Sequence, residues 1–320
     1  MRQPWIVGSL IIITLIAHPR RIDSQTNNAT NQSATPYSLR VSVDEVSLTF
    51  HVADAHGLPI NDLKLDEMSL LDNGRPPRRI LEFQSLQNFP IHAGILLDMS
   101  ESMEETGSSD RAIAIQYAQQ LLRQQTDQAF VIKFDRQSQI AQYWTSDAKA
   151  LSVGIRNHTH IADGGRHFTG TAIFDTIYRA CLDQFSHVDS ANSGNFILLF
   201  SDGEDNASKT SLAQAVDACQ RTNTAIYAFH PGPKEAFSPG PKTLRQLASE
   251  SGGRVFREDD SEAEISNDLH IIEADRRNQY RLIYKPAELK RDGSFHRIQL
   301  KASERVDSII VRSGYYSPSH

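Results

Sequence analysis

The stretch that decides the fold is Gly94-Ile95-Leu96-Leu97-Asp98-Met99-Ser100-Glu101-Ser102. An apolar run without alternation ends at Asp98, and hydroxyl side chains follow two and four positions later, at Ser100 and Ser102. Such a run is typical of a parallel strand that is covered on both faces. Open α/β sheets build their ligand sites at the carboxyl ends of these strands. One carboxylate and two hydroxyls in a tight turn are hard oxygen ligands, which favours Mg²⁺, with Mn²⁺ or Ca²⁺ as alternatives.

Two later segments extend this pattern. Thr169-Gly170-Thr171-Ala172-Ile173-Phe174-Asp175 carries a threonine in a Gly-Thr-Ala setting. Phe196-Ile197-Leu198-Leu199-Phe200-Ser201-Asp202-Gly203-Glu204-Asp205 is a second apolar strand that ends in an Asp-Gly turn. In this order, the three segments resemble the metal-ion-dependent adhesion site (MIDAS) of von Willebrand factor type A (VWA) domains. The resemblance extends over about residues 91–277, and the flanking segments are similar to the acidobacterial-type subgroup of VWA proteins.

The resemblance implies a set of five metal ligands. The hydroxyls of Ser100, Ser102 and Thr171 would bind Mg²⁺ directly, and Asp98 and Asp202 would act mostly through water and hydrogen bonds. Neutral hydroxyls leave the ion electron-poor, so that a carboxylate from another molecule can complete its octahedral coordination. The implied function is metal-dependent adhesion to a protein ligand that supplies an acidic side chain.

Each segment also has a purely structural interpretation. Ser100 and Ser102 are favoured helix caps, and Asp202-Gly203 is a common turn. The agreement of three ordered segments favours the metal site over these separate explanations. Thr169 is a rival to Thr171, but the Gly-Thr-Ala setting favours Thr171.

Other polar residues near the motif are expected to serve structure. Asp205 is interpreted as a solvated loop acid or as a cap for the next helix, and Asp175 as a structural residue on a helix. Three loop histidines are predicted to be solvated rather than to form a second metal site; they are His158, His160 and His167.

Hydrophobic periodicity divides the chain into an α/β part and two β flanks. Residues 91–277 alternate buried strands with helices, which predicts a doubly wound, mostly parallel sheet, and the resemblance implies the Rossmann-like VWA fold. Residues 37–90 and 278–320 alternate with period two, as half-buried strands do. Each flank has too few strands to be stable alone, so we predict that the flanks pair into one antiparallel β-sandwich.

The amino terminus predicts export. Met1 to Ala17 combines a positive start at Arg2 with an apolar stretch that is shorter than the ~20 residues of a membrane span. Residues 1–21 are therefore a signal peptide or, alternatively, an uncleaved anchor, because no clean cleavage site follows Ala17. Residues 22–36 are polar and typical of a flexible linker. We expect a periplasmic, cell-surface or secreted protein whose only membrane tether would be this amino-terminal segment.

The chain has two cysteines, Cys181 and Cys219, without metal-binding spacing. Both fall on predicted helices that share one face of the sheet, so a disulfide can form in an oxidising compartment. Two buried thiols are the favoured prediction, because cysteine is commonly buried in any case.

Enzymatic function is not expected from this sequence. It has no Gly-x-Ser-x-Gly elbow, no Walker loop and no Gly-x-Gly-x-x-Gly after a strand. The net charge of −6 argues against nucleic-acid binding, which needs a basic face. Two alternatives to adhesion stay open. One is a scaffold in which the metal is purely structural and the sandwich binds the partner, and the other is a Mg²⁺-dependent hydrolase, which lacks a basic phosphate clamp here.

Overall fold

The computed structural model describes residues 44–103, 107–123, 125–157, 170–189, 192–231, 239–257 and 261–319. Four predictions lie outside these ranges: the export signal at 1–21, the linker at 22–36, the strand residues 37–43, and the segment with Thr169, His158, His160 and His167. Within the described ranges, no helix combines the length and the apolar character needed to cross a membrane.

Three strands come first along the described chain: β1 (Val46–Ala53), β2 (Met68–Asp72) and β3 (Arg79–Leu86). A 3₁₀ turn at Leu65–Glu67 leads into β2. In β1 four large apolar residues recur at every second position, and all four are buried: Val46, Leu48, Phe50 and Val52. This period of two places one face of the strand against a core.

Six strands of the α/β part form one sheet: β4 (Ile91–Asp98), β5 (Gln128–Phe134), β6 (Ser138–Thr145), β7 (Gly194–Phe200), β8 (Thr224–His230) and β9 (Val255–Arg257). Their order is β6-β5-β4-β7-β8-β9, and every neighbouring pair is parallel except β5 with β6. In the central strand β4 all residues but the half-buried His92 are buried, which explains the apolar run Gly94-Ile95-Leu96-Leu97. The predicted doubly wound, mostly parallel sheet is confirmed.

Six α-helices of the described chain cover the two faces of this sheet: α1 (Gly107–Leu121), α2 (Ala148–Arg156), α3 (Ile173–Arg179), α4 (Leu212–Arg221), α5 (Gly240–Ser251) and α6 (Glu262–Arg277). One apolar core joins a face of the sheet to α1, α2 and α6, and a second core joins the other face to α3, α4 and α5. The helical segment that begins with α3 is irregular, because α3 continues as a π-helical turn at Ala180–Gln184 and a 3₁₀ turn at Phe185–His187. Apolar spacing predicts helicity but not the hydrogen-bonding step of the helix.

Four strands follow the α/β part: β10 (Gln279–Lys285), β11 (Phe295–Ala302), β12 (Ser308–Val311) and β13 (Gly314–Tyr316). They pair with the first three strands into antiparallel sheets of order β12-β1-β10-β3 and β13-β11-β2. Buried side chains from both sheets share one core, among them Phe50, Leu70, Tyr280 and Ile298. The antiparallel sandwich predicted from the two ends of the chain is therefore confirmed, while the domain boundaries at 37–90, 91–277 and 278–320 stay predictions.

Hydrogen bonds join the two points where the chain passes between the sandwich and the α/β part. The Phe89 amide donates to the Arg277 carbonyl at 3.1 Å, and the Arg277 guanidinium donates to the Phe89 carbonyl at 3.0 Å. The same guanidinium forms an ion pair with the buried Asp127 at 2.8 Å. One arginine thus holds together the entry to β4 and the exit from α6.

Cys181 and Cys219 form a disulfide, so our prediction of two buried thiols was wrong. Their Cα atoms are 5.2 Å apart, a separation that a disulfide spans without distortion. Cys181 lies in the π-helical turn after α3, Cys219 lies on α4, and both pack in the same apolar core. The sequence indicates that these helices share a face, but the distance between two positions depends on helix packing.

Candidate metal site at the carboxyl end of the sheet

Asp98 is the last residue of β4, and its carboxylate is buried. Its Oδ1 atom accepts a hydrogen bond from the Ser100 amide at 2.9 Å, and its Oδ2 atom accepts one from the Ser201 hydroxyl at 2.7 Å. Ser201 directly follows β7, so this second bond joins the ends of two neighbouring parallel strands. Burial raises the pKa of Asp98 to about 7, although the hydrogen bonds from Ser100 and Ser201 act in the opposite direction.

Ser100 and Ser102 stand beside this carboxylate, with their hydroxyl oxygens 3.1 Å apart. They belong to a tight turn that continues as a 3₁₀ segment at Glu101–Met103, in which the Met103 amide donates to the Ser100 carbonyl at 3.0 Å. The Met103 side chain is buried and anchors the turn in the protein interior. The structure therefore brings one carboxylate and two hydroxyls together within one turn.

The segment that carries Thr171 lies against the same end of the sheet. The Ala172 amide donates to the carbonyl of Asp135, which directly follows β5, at 2.8 Å. The Thr171 amide donates to Asn206 Oδ1 at 2.8 Å, and the Thr171 carbonyl accepts from the amides of Asn206 and Ala207, each at 3.1 Å. The backbone of Thr171 is thus held between the end of β5 and the loop after β7.

A second group of hydrogen bonds fixes the start of α3. Asp205 Oδ2 accepts from the Phe174 amide at 2.9 Å and from the Ser208 hydroxyl at 2.6 Å. The Ser208 hydroxyl accepts from the Asp175 amide at 3.0 Å, and Asp175 Oδ1 accepts from the Thr210 amide at 2.8 Å. Asp205 therefore caps α3, a helix that lies earlier in the chain than the one we expected it to cap. A cap supplied by a distant loop has no local sequence pattern.

Asp202 lies in the turn after β7, where its Oδ1 atom accepts from the Glu204 amide at 3.0 Å. Two glycines allow this turn to approach α5 closely. Gly203 has a φ of +84° and packs against the Gly240 carbonyl, and Gly240 packs against the Asp202 carbonyl. A Cβ atom at either position would overlap the opposite backbone.

Two sets of contacts place the five predicted ligands at one edge of the sheet. Asp98, Ser100 and Ser102 form one hydrogen-bonded turn, and Asp202 directly follows the residue that bonds to Asp98. Thr171 lies at the same edge through its backbone contacts. That the five side chains together ligate a metal stays a prediction.

Two residues that position this site were missed by sequence reasoning, Ser201 and Asn206. The place of Ser201, directly after an apolar strand and beside Asp202, was a usable signal, because the ends of neighbouring parallel strands meet. Asn206 had no such signal, since its contact with Thr171 spans 35 residues.

The residues at this edge fit a hard divalent cation. Asp98 is only 3% exposed, and within the described ranges no basic side chain forms an ion pair with it. An unpaired buried carboxylate is costly, and a bound cation would offset that cost. No three His, Cys, Asp or Glu side chains of the described residues cluster in a way that could hold a metal. The predicted set has only two carboxylates, so hydroxyls would supply its remaining ligands.

An open, doubly wound sheet with polar side chains at the carboxyl ends of its central strands is the arrangement of ligand-binding α/β domains. The sequence profile of the von Willebrand factor type A domain matches residues 94–269, more than half of the chain. The chain belongs to the VWA domain family, as its three motifs indicated. No curated protein sequence matches it.

Solved structures with a similar fold include two bacterial proteins and one from a mussel. The chain is 17% identical to the conserved hypothetical protein BatB from Bacteroides thetaiotaomicron, covering 57% of this chain and 97% of that one, with a TM-score of 0.45. An aerotolerance-related membrane protein from Bacteroides fragilis NCTC 9343 is also 17% identical, with coverages of 57% and 98% and a TM-score of 0.44. Proximal thread matrix protein 1 from the mussel byssus, in a structure with a zinc-occupied MIDAS motif, is 16% identical, with a TM-score of 0.43. The match covers 59% of this chain and 48% of the mussel protein, about half of its length.

Proposed function

We propose that this chain binds a protein ligand through a divalent cation held at the edge of its VWA sheet. The hydroxyls of Ser100, Ser102 and Thr171 bind the cation, and Asp98 and Asp202 act mainly through water. An acidic side chain of the partner completes the coordination. Mg²⁺ is the favoured ion, with Mn²⁺ and Ca²⁺ as alternatives, because the donors are carboxylate and hydroxyl oxygens.

The observation that carries this proposal is the hydrogen-bonded group around Asp98. Both oxygens of this buried carboxylate are fixed by donors from two different strand ends, at 2.9 Å and 2.7 Å. Beside it lie the hydroxyl oxygens of Ser100 and Ser102, which are 3.1 Å from each other. The neighbouring Asp202 adds a second negative charge, which raises the pKa of Asp98 further beyond the effect of burial. A divalent cation at this point would compensate both charges.

The proposal includes a location outside the cytoplasm. The amino-terminal segment 1–21, as a signal peptide or an anchor, would lead the chain to the periplasm, the cell surface or the medium. The disulfide between Cys181 and Cys219 supports this, because disulfides persist in oxidising compartments.

Two other functions compete with adhesion. In the first, the cation only stabilises the loops, and the sandwich binds the partner. In the second, the site is a Mg²⁺-dependent hydrolase, and phosphatase turnover that is lost in Asp98→Ala would favour it. We propose no enzymatic activity, since VWA domains generally act as interaction modules.

The test compares metal binding with partner binding. Calorimetry should show one Mg²⁺ site in the wild-type protein, and Thr171→Ala should weaken its affinity by roughly tenfold or more. Thr145→Ala is the matched control, because Thr145 pairs with Ala129 near the opposite, amino-terminal end of β5. The control should leave the affinity unchanged.

In the second stage, the wild-type protein and both variants are immobilised on a resin, and each resin is incubated with the native extracellular fraction. We expect the wild type and Thr145→Ala to capture a protein in Mg²⁺ and to release it in EDTA. We expect Thr171→Ala to capture none. Capture that persists in EDTA and in Thr171→Ala would contradict the adhesive role and favour the sandwich as the binding surface.

A further inference from the structure

A cleft lies between strands of the sandwich and the carboxyl end of α4. Its walls include side chains from β1, α4, β10 and the turn after β12, and we call it the arginine cleft; it is defined by Thr49, Gln220, Arg221, Asn223, Arg281 and Arg312. Its volume is about 260 Å³. This is slightly below the roughly 300 Å³ at which pockets for drug-sized ligands begin, so it suits a small molecule.

The lining of the arginine cleft carries charge of one sign. Three of its ten lining residues are arginines, and none of the ten is an aspartate or a glutamate. Two of these guanidiniums are paired with acids outside the cleft, Arg221 with Asp217 at 2.8 Å and Arg281 with Glu82 at 2.8 Å. The Arg221 pair lies at the surface, with 72% of the arginine side chain exposed, and such pairs exchange partners at little cost.

Arg312 is the residue that points to a ligand. Within the described residues its guanidinium forms no ion pair. It donates to the Ser47 carbonyl at 2.7 Å and lies 5.8 Å from the centre of the Tyr315 ring. Its Nε atom is buried and has no hydrogen-bond acceptor. Arg312 lines the cleft, so an anion bound there would lie beside a guanidinium charge that no carboxylate of the described residues neutralises in an ion pair, and it would stabilise that charge.

We propose that the arginine cleft binds a small oxyanion, a phosphate or carboxylate group, between Arg312 and Arg221. The planar guanidinium of Arg312 matches the oxygens of both groups. A neighbouring cavity of about 250 Å³ shares Arg221 and Arg312 but is also lined by Glu45 and Asp217. Its mixed charge disfavours an anion, so the ligand is assigned to the arginine cleft. This site is independent of the metal site and of the adhesive function.

The test titrates this chain with inorganic phosphate and, separately, with succinate, and follows binding by calorimetry at low ionic strength. Low salt is needed because screening weakens such contacts. The buffer is freed of metal without a chelator, because chelators are polycarboxylates, and the result is then independent of the metal site. Saturable one-to-one binding of either anion supports the site, and the arm that binds identifies the group.

Two variants and one control assign the binding to the cleft. Arg312→Gln and Arg221→Gln should each weaken binding by about fivefold or more. Arg221→Gln alters an exposed side chain, so it reports on the site even if Arg312→Gln folds poorly. Arg75→Gln is the matched control, because this arginine is 66% exposed in a surface ion pair of the sandwich. No binding of either anion up to about 10 mM, or equal binding by all the variants, would overturn the proposal.

Discussion

Asp98 and Lys133 are buried charged side chains of the α/β part that form no ion pair among the described residues. Asp98 lies at the edge of the sheet, where hydrogen bonds from Ser100 and Ser201 hold its carboxylate. Lys133 lies on β5 beneath the helices, where its amino group donates to the Asn157 carbonyl. Both lie near the carboxyl ends of neighbouring strands, and the two charges are tested differently, Asp98 by metal binding and Lys133 by pH.

Lys133 provides a prediction of pH dependence. Burial, with a smaller effect of Arg111, lowers the pKa of Lys133 to about 8. The folded state therefore releases this proton at a lower pH than the unfolded state. The free energy of unfolding of the wild-type protein increases as pH rises from about 8 to about 10. The difference in free energy of unfolding between Lys133→Met and wild type should favour the variant more at pH 7 than at pH 10, by roughly 2 to 3 kcal/mol.

Urea unfolding at a series of pH values measures this difference. Loss of the hydrogen bond to Asn157 lowers the stability of the variant at every pH. The change in the stability difference with pH therefore reports the titration of Lys133. A constant difference between the two proteins from pH 7 to pH 10 would contradict a lowered pKa.

The sequence was most informative for residues whose partners are close along the chain. Asp98, Ser100 and Ser102 lie in one turn, so their convergence followed from the spacing. The bond from Ser201 to Asp98 spans 103 residues, and no local pattern contains it. The sequence of β5 likewise did not indicate why a lysine tolerates burial, because the carbonyl that it meets lies at the end of α2.

At the scale of elements, the metal-site edge is held by contacts between loops and helix starts. Asp205 caps α3, Asn206 holds Thr171, and the Asp202 turn packs against the start of α5. The helices and strands themselves were predictable from periodicity. Their contacts were not, because they join segments that are about 30 or more residues apart.

Gly240→Ala tests whether the start of α5 sets the position of Asp202. The added methyl group would overlap the Asp202 carbonyl, which forces the turn outward. We expect a loss of about 1 to 3 kcal/mol in the free energy of unfolding and a weaker Mg²⁺ affinity. Gly57→Ala is the control. Alanine is disfavoured there by a φ of +76°, but no atom lies close to the position, so stability should fall without a change in Mg²⁺ affinity. An unchanged Mg²⁺ affinity in Gly240→Ala would separate this contact from the site.

The disulfide between α4 and the segment after α3 should stabilise the α/β part. It closes a loop with a sequence separation of 38 residues, for which loss of chain entropy predicts about 4 kcal/mol. We expect the double variant Cys181→Ser, Cys219→Ser to lose roughly 2 to 4 kcal/mol in urea unfolding. Wild-type protein unfolded and refolded in reductant is the control and should approach the stability of the variant. A loss below about 1 kcal/mol would show that the bond contributes little.

At the scale of the whole molecule, the α/β part is inserted between the two halves of one sandwich. Strand β10 from the carboxyl-terminal segment lies between β1 and β3 from the amino-terminal one. Arg277, at the second crossing, is bonded to Phe89 at the first, and its guanidinium is also paired with the buried Asp127. This arrangement was predictable because neither flank has enough strands to fold alone. The detailed pairing order was not, since alternation identifies strands but not their neighbours.

Removal of residues 280–320 tests this dependence. The truncated chain loses β10, and β1 and β3 then have no common neighbour. We predict that the segment 44–90 becomes rapidly cleaved in limited proteolysis, while the intact chain resists under the same conditions. Equal protease resistance of this segment in both proteins would mean that it folds without the carboxyl-terminal strands.

We propose that oxygen atoms from three separate segments hold one divalent cation. Anomalous diffraction from crystals soaked in Mn²⁺ tests this directly, because the ion's position is measured without reference to any activity. We expect one peak about 2.1 Å from the hydroxyls of Ser100, Ser102 and Thr171, with Asp98 and Asp202 in the surrounding shell. A peak elsewhere on the molecule, or none at saturating Mn²⁺, would contradict it.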